Sequence, residues 1–104
     1  MSNPYLATEN MMTYCYEMSI SHHDFFRTFH QAFNDCLYQK QGNTITRQEN
    51  NQQLTITLSP ETQRRIALIC LPVTHITLTF KGYSPRFVHD FIRQFHQAYQ
   101  RGGG

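Results

Sequence analysis

The sequence predicts a two-layer α+β domain: an antiparallel sheet with two helices on one face, in the order β-α-β-β-β-β-α. Three observations predict it. One helical pattern is written twice, once near each end of the chain: His23-Asp24-Phe25-Phe26-Arg27-Thr28-Phe29-His30-Gln31-Ala32-Phe33 recurs as His89-Asp90-Phe91-Ile92-Arg93-Gln94-Phe95-His96-Gln97-Ala98-Tyr99. Between the copies run segments that alternate apolar and polar residues, the period of a half-buried strand. Gly, Pro and Asn punctuate those segments where turns are needed. At 104 residues the chain is the size of one domain with one core.

Residues 1–10 are polar and read as a loose segment, residues 11–101 as the single domain, and residues 102–104 as a flexible glycine tail. From Met11 to Ile20 the chain reads as a strand, with Met12, Tyr14, Tyr16, Met18 and Ile20 on one face. Ser21 is placed to cap a helix, with Asp24 three residues on in a variant of the capping box. That helix is expected to reach about Leu37, and Gln39-Lys40-Gln41-Gly42-Asn43 breaks it. Thr44 to Glu49 and Gln53 to Ser59 alternate and are rich in β-branched residues. Asn50-Asn51 suits the turn between them, because Asn tolerates positive φ. Arg65 to Leu71 is apolar after its first residue, as a strand buried on both faces would be. For residues 60–66 a short helix starting at Ser59-Pro60-Glu61 stays open as the rival. Pro72 marks a bend, and Val73 to Lys81 alternates again. Gly82 breaks that strand, Ser84 caps the last helix, and Pro85 suits its first turn. The helix runs to about Arg101, with Gly102 as its stop.

Composition narrows the function. Net charge is +2 with neutral histidines, and only Arg64-Arg65 among the nine basic residues are adjacent. A nucleic-acid footprint needs a basic stripe or patch, and none is visible. Cys15, Cys36 and Cys70 lie far apart with no Cys-x-x-Cys or Cys-His spacing. An odd count of cysteines suits reduced thiols and a cytoplasmic setting. No apolar run reaches the roughly 20 residues of a membrane span.

The repeat carries the candidate site. Eight of its eleven aligned positions are identical, polar ones included, whereas packing alone would repeat only the apolar ones. Phe26, Phe29 and Phe33 are expected to share the sheet-facing stripe, with Phe25 at its side, and Ile92, Phe95 and Tyr99 to do the same beside Phe91. His23, Arg27 and His30, with His89, Arg93 and His96, then line the edges and outer face of the helices, where they would bind a ligand or partner. The groove between the helices is the expected ligand site. Each histidine pair is seven residues apart, which is about 10.5 Å along a helix, so one helix cannot chelate a metal through its own pair. A site spanning both helices, His23 with His96 or His30 with His89, would lack a third ligand; neither metal nor cofactor is expected.

The element order resembles one half of the TATA-box-binding protein (a TBP-like topology). The likeness is of topology only, without matching motif residues, and fold does not imply function. Arg101-Gly102-Gly103-Gly104 resembles the Arg-Gly-Gly ends of ubiquitin and small sulfur carriers, which implies an activated or conjugated terminus. Those proteins place the tail after a strand, and here it follows a helix, where Gly is a normal stop.

No Ser/His/Asp arrangement, phosphate-binding loop or dinucleotide fingerprint occurs, so no catalytic residue is assigned. The expected function is a small cytoplasmic, non-enzymatic binding or assembly module. Its expected partners are a second copy of itself and an unidentified small ligand or protein, with no membrane. A carrier acting through its glycine tail and a weak nucleic-acid-binding domain are the alternatives.

Overall fold

The computed structural model describes residues 11–102; the loose segment expected at 1–10 and the last two glycines of the tail lie outside them. Eight elements follow in order: β1 (Met11–Met18), α1 (His22–Ala32), β2 (Tyr38–Gln41), β3 (Thr44–Glu49), β4 (Gln52–Leu58), β5 (Thr62–Ile66), β6 (Ile69–Lys81) and α2 (Pro85–Gly102). The fold is α+β, with six antiparallel strands. The main path is β1-β6-β4-β3-β2, and β5 pairs with the first half of β6.

The strand alternation sorts the sheet into two faces. Tyr14, Leu78, Ile56 and Ile45 stand in one row across β1, β6, β4 and β3. Met12, Phe80 and Leu54 form the next row. These residues and both helices' aromatics make one core, so the helices share a face. Each fully buried Leu, Ile or Phe adds about 1.5–3 kcal/mol of transfer free energy, an upper figure against a compact unfolded chain. The opposite face is a threonine lattice. Thr13, Thr79, Thr55 and Thr46 align in one row, and Cys15, Thr77, Thr57 and Thr44 in the next.

Five expectations need correction. Helix α1 stops at Ala32, not near Leu37. Phe33 caps it, and Asp35 then takes the chain out of helix: its carboxylate accepts from Leu37 N at 2.9 Å and its carbonyl from Tyr38 N at 3.2 Å. Such local side-chain bonds are why Asp competes with helix. The supposed helix breaker becomes strand β2, joined to β3 by Gly42-Asn43 with Gly42 at φ 61°. The expected order therefore gains one strand.

The apolar run Ile66–Leu71 is not a strand buried on both faces. It folds back on itself at Ala67-Leu68, with Ala67 at φ 53°. Ile66 to Cys70 are exposed, Leu68 by 96%. Cys70, within this run, is therefore a surface thiol.

Pro72 marks no bend. It lies within β6, opposite Gln63. The hairpin closes on Ile66–Ile69 across a two-residue turn, and opposite pairs alternate along a ladder, so the nitrogen of Pro72 faces the side of β1. There β1 pairs only as far as Thr74, and a proline on a free edge forfeits no ladder bond. Ser19 Oγ instead donates to the Pro72 carbonyl at 3.2 Å.

The buried helix stripe is shifted by one residue. Phe25, Phe29 and Phe33 are buried, as are Phe91, Phe95 and Tyr99, while Phe26 and Ile92 are half-buried. The two copies of the repeat thus bury equivalent positions.

Candidate functional site

Both helices start with the expected serines. Ser21 Oγ accepts from Asp24 N and Ser84 Oγ from Phe87 N, each at 3.1 Å, which satisfies helix donors that have no partner in the first turn. The helices run antiparallel. Phe25 near the start of α1 stacks on Tyr99 near the end of α2 at 4.8 Å, and Phe33 stacks on Phe91 at 4.7 Å. Tyr99 donates its hydroxyl to the Phe25 carbonyl at 2.8 Å, and Gln94 Nε2 donates to the Ala32 carbonyl at 3.2 Å. Aromatic stacking fills most of the space between the helices; a hollow of about 300 Å³ remains between the end of α1 and the start of α2, beside Tyr38 and Arg47.

A larger cleft lies on the other side of α1. A cleft of about 770 Å³ opens between the outer flank of α1 and the hairpin β2–β3. Phe26, Phe29, Phe33, Tyr38 and Ile45 form its apolar wall, and His22, His23, Arg27, His30 and Lys40 bring nitrogen groups to it. Lys40 Nζ sits 4.5 Å from the Phe26 ring centroid, close enough for cation–π attraction. Arg27 pairs with Asp24 at 3.1 Å. At the far end, Asp35 faces Arg47 at 3.8 Å. Pockets of a few hundred Å³ with apolar walls and a few placed polar groups are where small ligands bind.

The six expected site residues are therefore divided. His23, Arg27 and His30 border the cleft. His96 lines a smaller hollow of about 400 Å³ with Met18, Ser19, Ile20, Tyr99 and Gln100, on the flank of α2 next to β1. Its ring meets Tyr16 edge-on at 5.1 Å. His89 and Arg93 stand exposed on α2 around Asp90, at 3.8 and 3.5 Å. The repeat thus puts His30 and His96 at opposite margins of the helix layer, beside the edge strands β2 and β1. Neither cross-helix histidine pair comes together, and among the described residues no cluster of three or more His, Cys, Asp or Glu is arranged for a metal.

Three cleft residues escaped the sequence reading: His22, Tyr38 and Lys40. His22 was overshadowed by its repeated neighbour His23; its Nε2 meets the Ser59 carbonyl at 2.7 Å. Tyr38 and Lys40 belong to the unexpected strand β2. A signal for that strand exists in Gly42-Asn43, a two-residue hairpin turn followed by the alternating Thr44-Ile45-Thr46.

Burial pushes the Tyr38 hydroxyl up to about 12, with the nearby Arg47 charge pulling the other way. Burial likewise raises Tyr99. The fold therefore holds these phenols neutral after the unfolded chain has begun to ionise near pH 10. Their contribution to stability is complete below about pH 10 and is lost as pH rises through the folded values. The urea midpoint should stay level to about pH 9.5 and fall steadily above pH 10. A midpoint unchanged up to the Tyr38 value would contradict this burial.

Compared with protein-family models, curated proteins and solved structures, the chain matches none. No described helix is long and apolar enough to cross a membrane.

Proposed function

We propose that this protein is a non-enzymatic binding module that takes an amphipathic anion into the cleft between α1 and β2, and that it works as a homo-oligomer in the cytoplasm. The observation that carries the ligand reading is the contrast between the cleft's aromatic wall and its rim of Arg27, Lys40 and three histidines. An apolar chain would lie along Phe26, Phe29 and Tyr38. Its anionic head would meet Arg27 or Lys40 and accept hydrogen bonds from the histidine rings. Three free thiols support the cytoplasmic setting. The sheet path β1-β6-β4-β3-β2 supports likeness to half of the TATA-box-binding protein in topology, and no function is carried over from it.

Dodecanoate, kept below its micelle threshold, is a suitable probe, with dodecanol as the uncharged control. Dodecanoate should bind the wild-type chain and dodecanol at least about tenfold more weakly, a difference of about 1.4 kcal/mol. Replacing Arg27, His30 and Lys40 together with Ala should remove that preference. Replacing His89 and Arg93 with Ala should leave it intact. Equal binding of acid and alcohol, or loss through the His89/Arg93 variant alone, would overturn the assignment.

A further inference from the structure

Beyond the sheet, β5 and the first residues of β6 continue as a two-stranded arm. Nothing at its tip is covered: Leu68 is 96%, Ile69 59% and Ile66 53% exposed. Three large apolar side chains on one exposed turn mark a surface that another surface covers. Their hydrophobic transfer would favour docking, and the strand beneath them specifies with what.

Among the described residues β5 is an edge strand, paired with β6 alone. The closing pair Ile66–Ile69 sets the alternation of the ladder. Ile66, Arg64 and Thr62 turn their amides and carbonyls toward β6, so Gln63 and Arg65 turn theirs to the open edge. Side chains also alternate, which puts Glu61, Gln63 and Arg65 on one side of the arm. The segment Glu61-Thr62-Gln63-Arg64-Arg65 is self-complementary in charge about its middle residue. Laid antiparallel on a second copy with Gln63 opposite Gln63, it sets Glu61 against Arg65 twice. Both residues are exposed. Arg65 makes no ion pair among the described residues, whereas its neighbour Arg64 already bonds Glu17 within the chain.

We propose that two copies of this chain join through their arms, β5 against β5 about a twofold axis, with Glu61 of each copy paired to Arg65 of the other. The two hairpins then form one four-stranded ribbon. An isologous contact of this kind closes on itself and stops at a dimer. The same register carries each tip past the base of the other arm, beside Ser59, where Leu68 leaves water. The base is firmly held for this: Glu61 accepts from His22 N at 3.0 Å, and Ser59 bonds the backbone of His75 in both directions at 2.9 Å. The cleft's own cations explain why the arm does not instead enter it, since Arg64 and Arg65 would meet Arg27 and Lys40.

This inference deepens the homo-oligomer part of the proposed function and is independent of the ligand. Sedimentation equilibrium over a concentration series, on the full chain, tests it. The wild-type chain should be a dimer. Gln63→Pro should be monomeric, with the thermal midpoint that the wild-type chain reaches when diluted until its dimer dissociates, because the amide it removes faces the open edge rather than β6. Arg65→Glu alone should weaken the dimer at least about tenfold by placing like charges together, and adding Glu61→Gln, which keeps the acceptor for His22 N and removes the like charge, should recover most of that loss. A dimer that survives Gln63→Pro, or an Arg65→Glu dimer that Glu61→Gln fails to strengthen, would overturn the arm contact while leaving oligomerisation itself standing. A wild-type chain that stays monomeric would overturn both.

Discussion

Replacing Phe25 with Ala should cost about 3–5 kcal/mol, the largest loss expected from any single truncation in α1. Phe25 is fully buried and stacks on Phe29 and Tyr99, with Phe95 tilted against it. Its removal leaves a void bounded by rigid rings on both helices, which cannot collapse inward as aliphatic chains do. The backbone carbonyl of Phe25 also accepts the Tyr99 hydroxyl, so any shift of the helix to fill the void would strain a buried hydrogen bond. Domains of this size carry about 5–15 kcal/mol in all, and a loss of this order lowers the melting temperature by roughly 15–30 °C. Phe26→Ala should cost less than half as much, because Phe26 is half-buried on the cleft side. Urea unfolding of the two variants separates them. Equal losses would restore the stripe read from the sequence, with Phe26 in it and Phe25 at its side.

Gly82→Ala should be the most damaging small substitution, at about 2 kcal/mol or more. Gly82 turns the chain from β6 into α2 at φ 85°, a conformation that costs an L-residue free energy. The added Cβ would also run into the backbone oxygen of Asn51. That oxygen belongs to the β3–β4 turn and has no side-chain freedom with which to yield. Gly42→Ala is the matched control: its φ is also positive, at 61°, but nothing lies within 4 Å of the added Cβ. The difference between the two variants in thermal or urea midpoint measures the contact alone. Similar losses would show that φ, and not the close approach of Asn51, governs Gly82.

The fold class was legible because it rests on period. Strands β3, β4 and the latter part of β6 alternate strictly, and the helices announce themselves through serine caps and a repeated aromatic pattern. Strand β2 was hidden, because Tyr38-Gln39-Lys40-Gln41 contains one apolar residue and reads as solvated helix end. Its place is set by the ladder to β3, a tertiary cause. The arm was misread for the opposite reason. A run of six apolar residues signals burial, yet a turn at Ala67-Leu68, a pair without Gly, Asn or Pro, divides it and leaves its tip in water.

The candidate site was half legible. Polar identity in the repeat drew attention to His23, Arg27 and His30, which do border the cleft. It drew equal attention to His89 and Arg93, which stand on the solvated flank of α2. The sequence could not show that the helices meet face to face through Phe25, Tyr99, Phe33 and Phe91, moving the open space to the far side of α1.

Amide shift mapping by NMR during titration with dodecanoate locates the ligand on the protein surface. Shifts should gather on the outer flank of α1, from His22 to His30, and on Tyr38 to Asn43, with α2 and the β5–β6 arm unmoved. Shifts centred on His96 and the end of β1, or on the flank of α2 that carries His89 and Arg93, would contradict that placement.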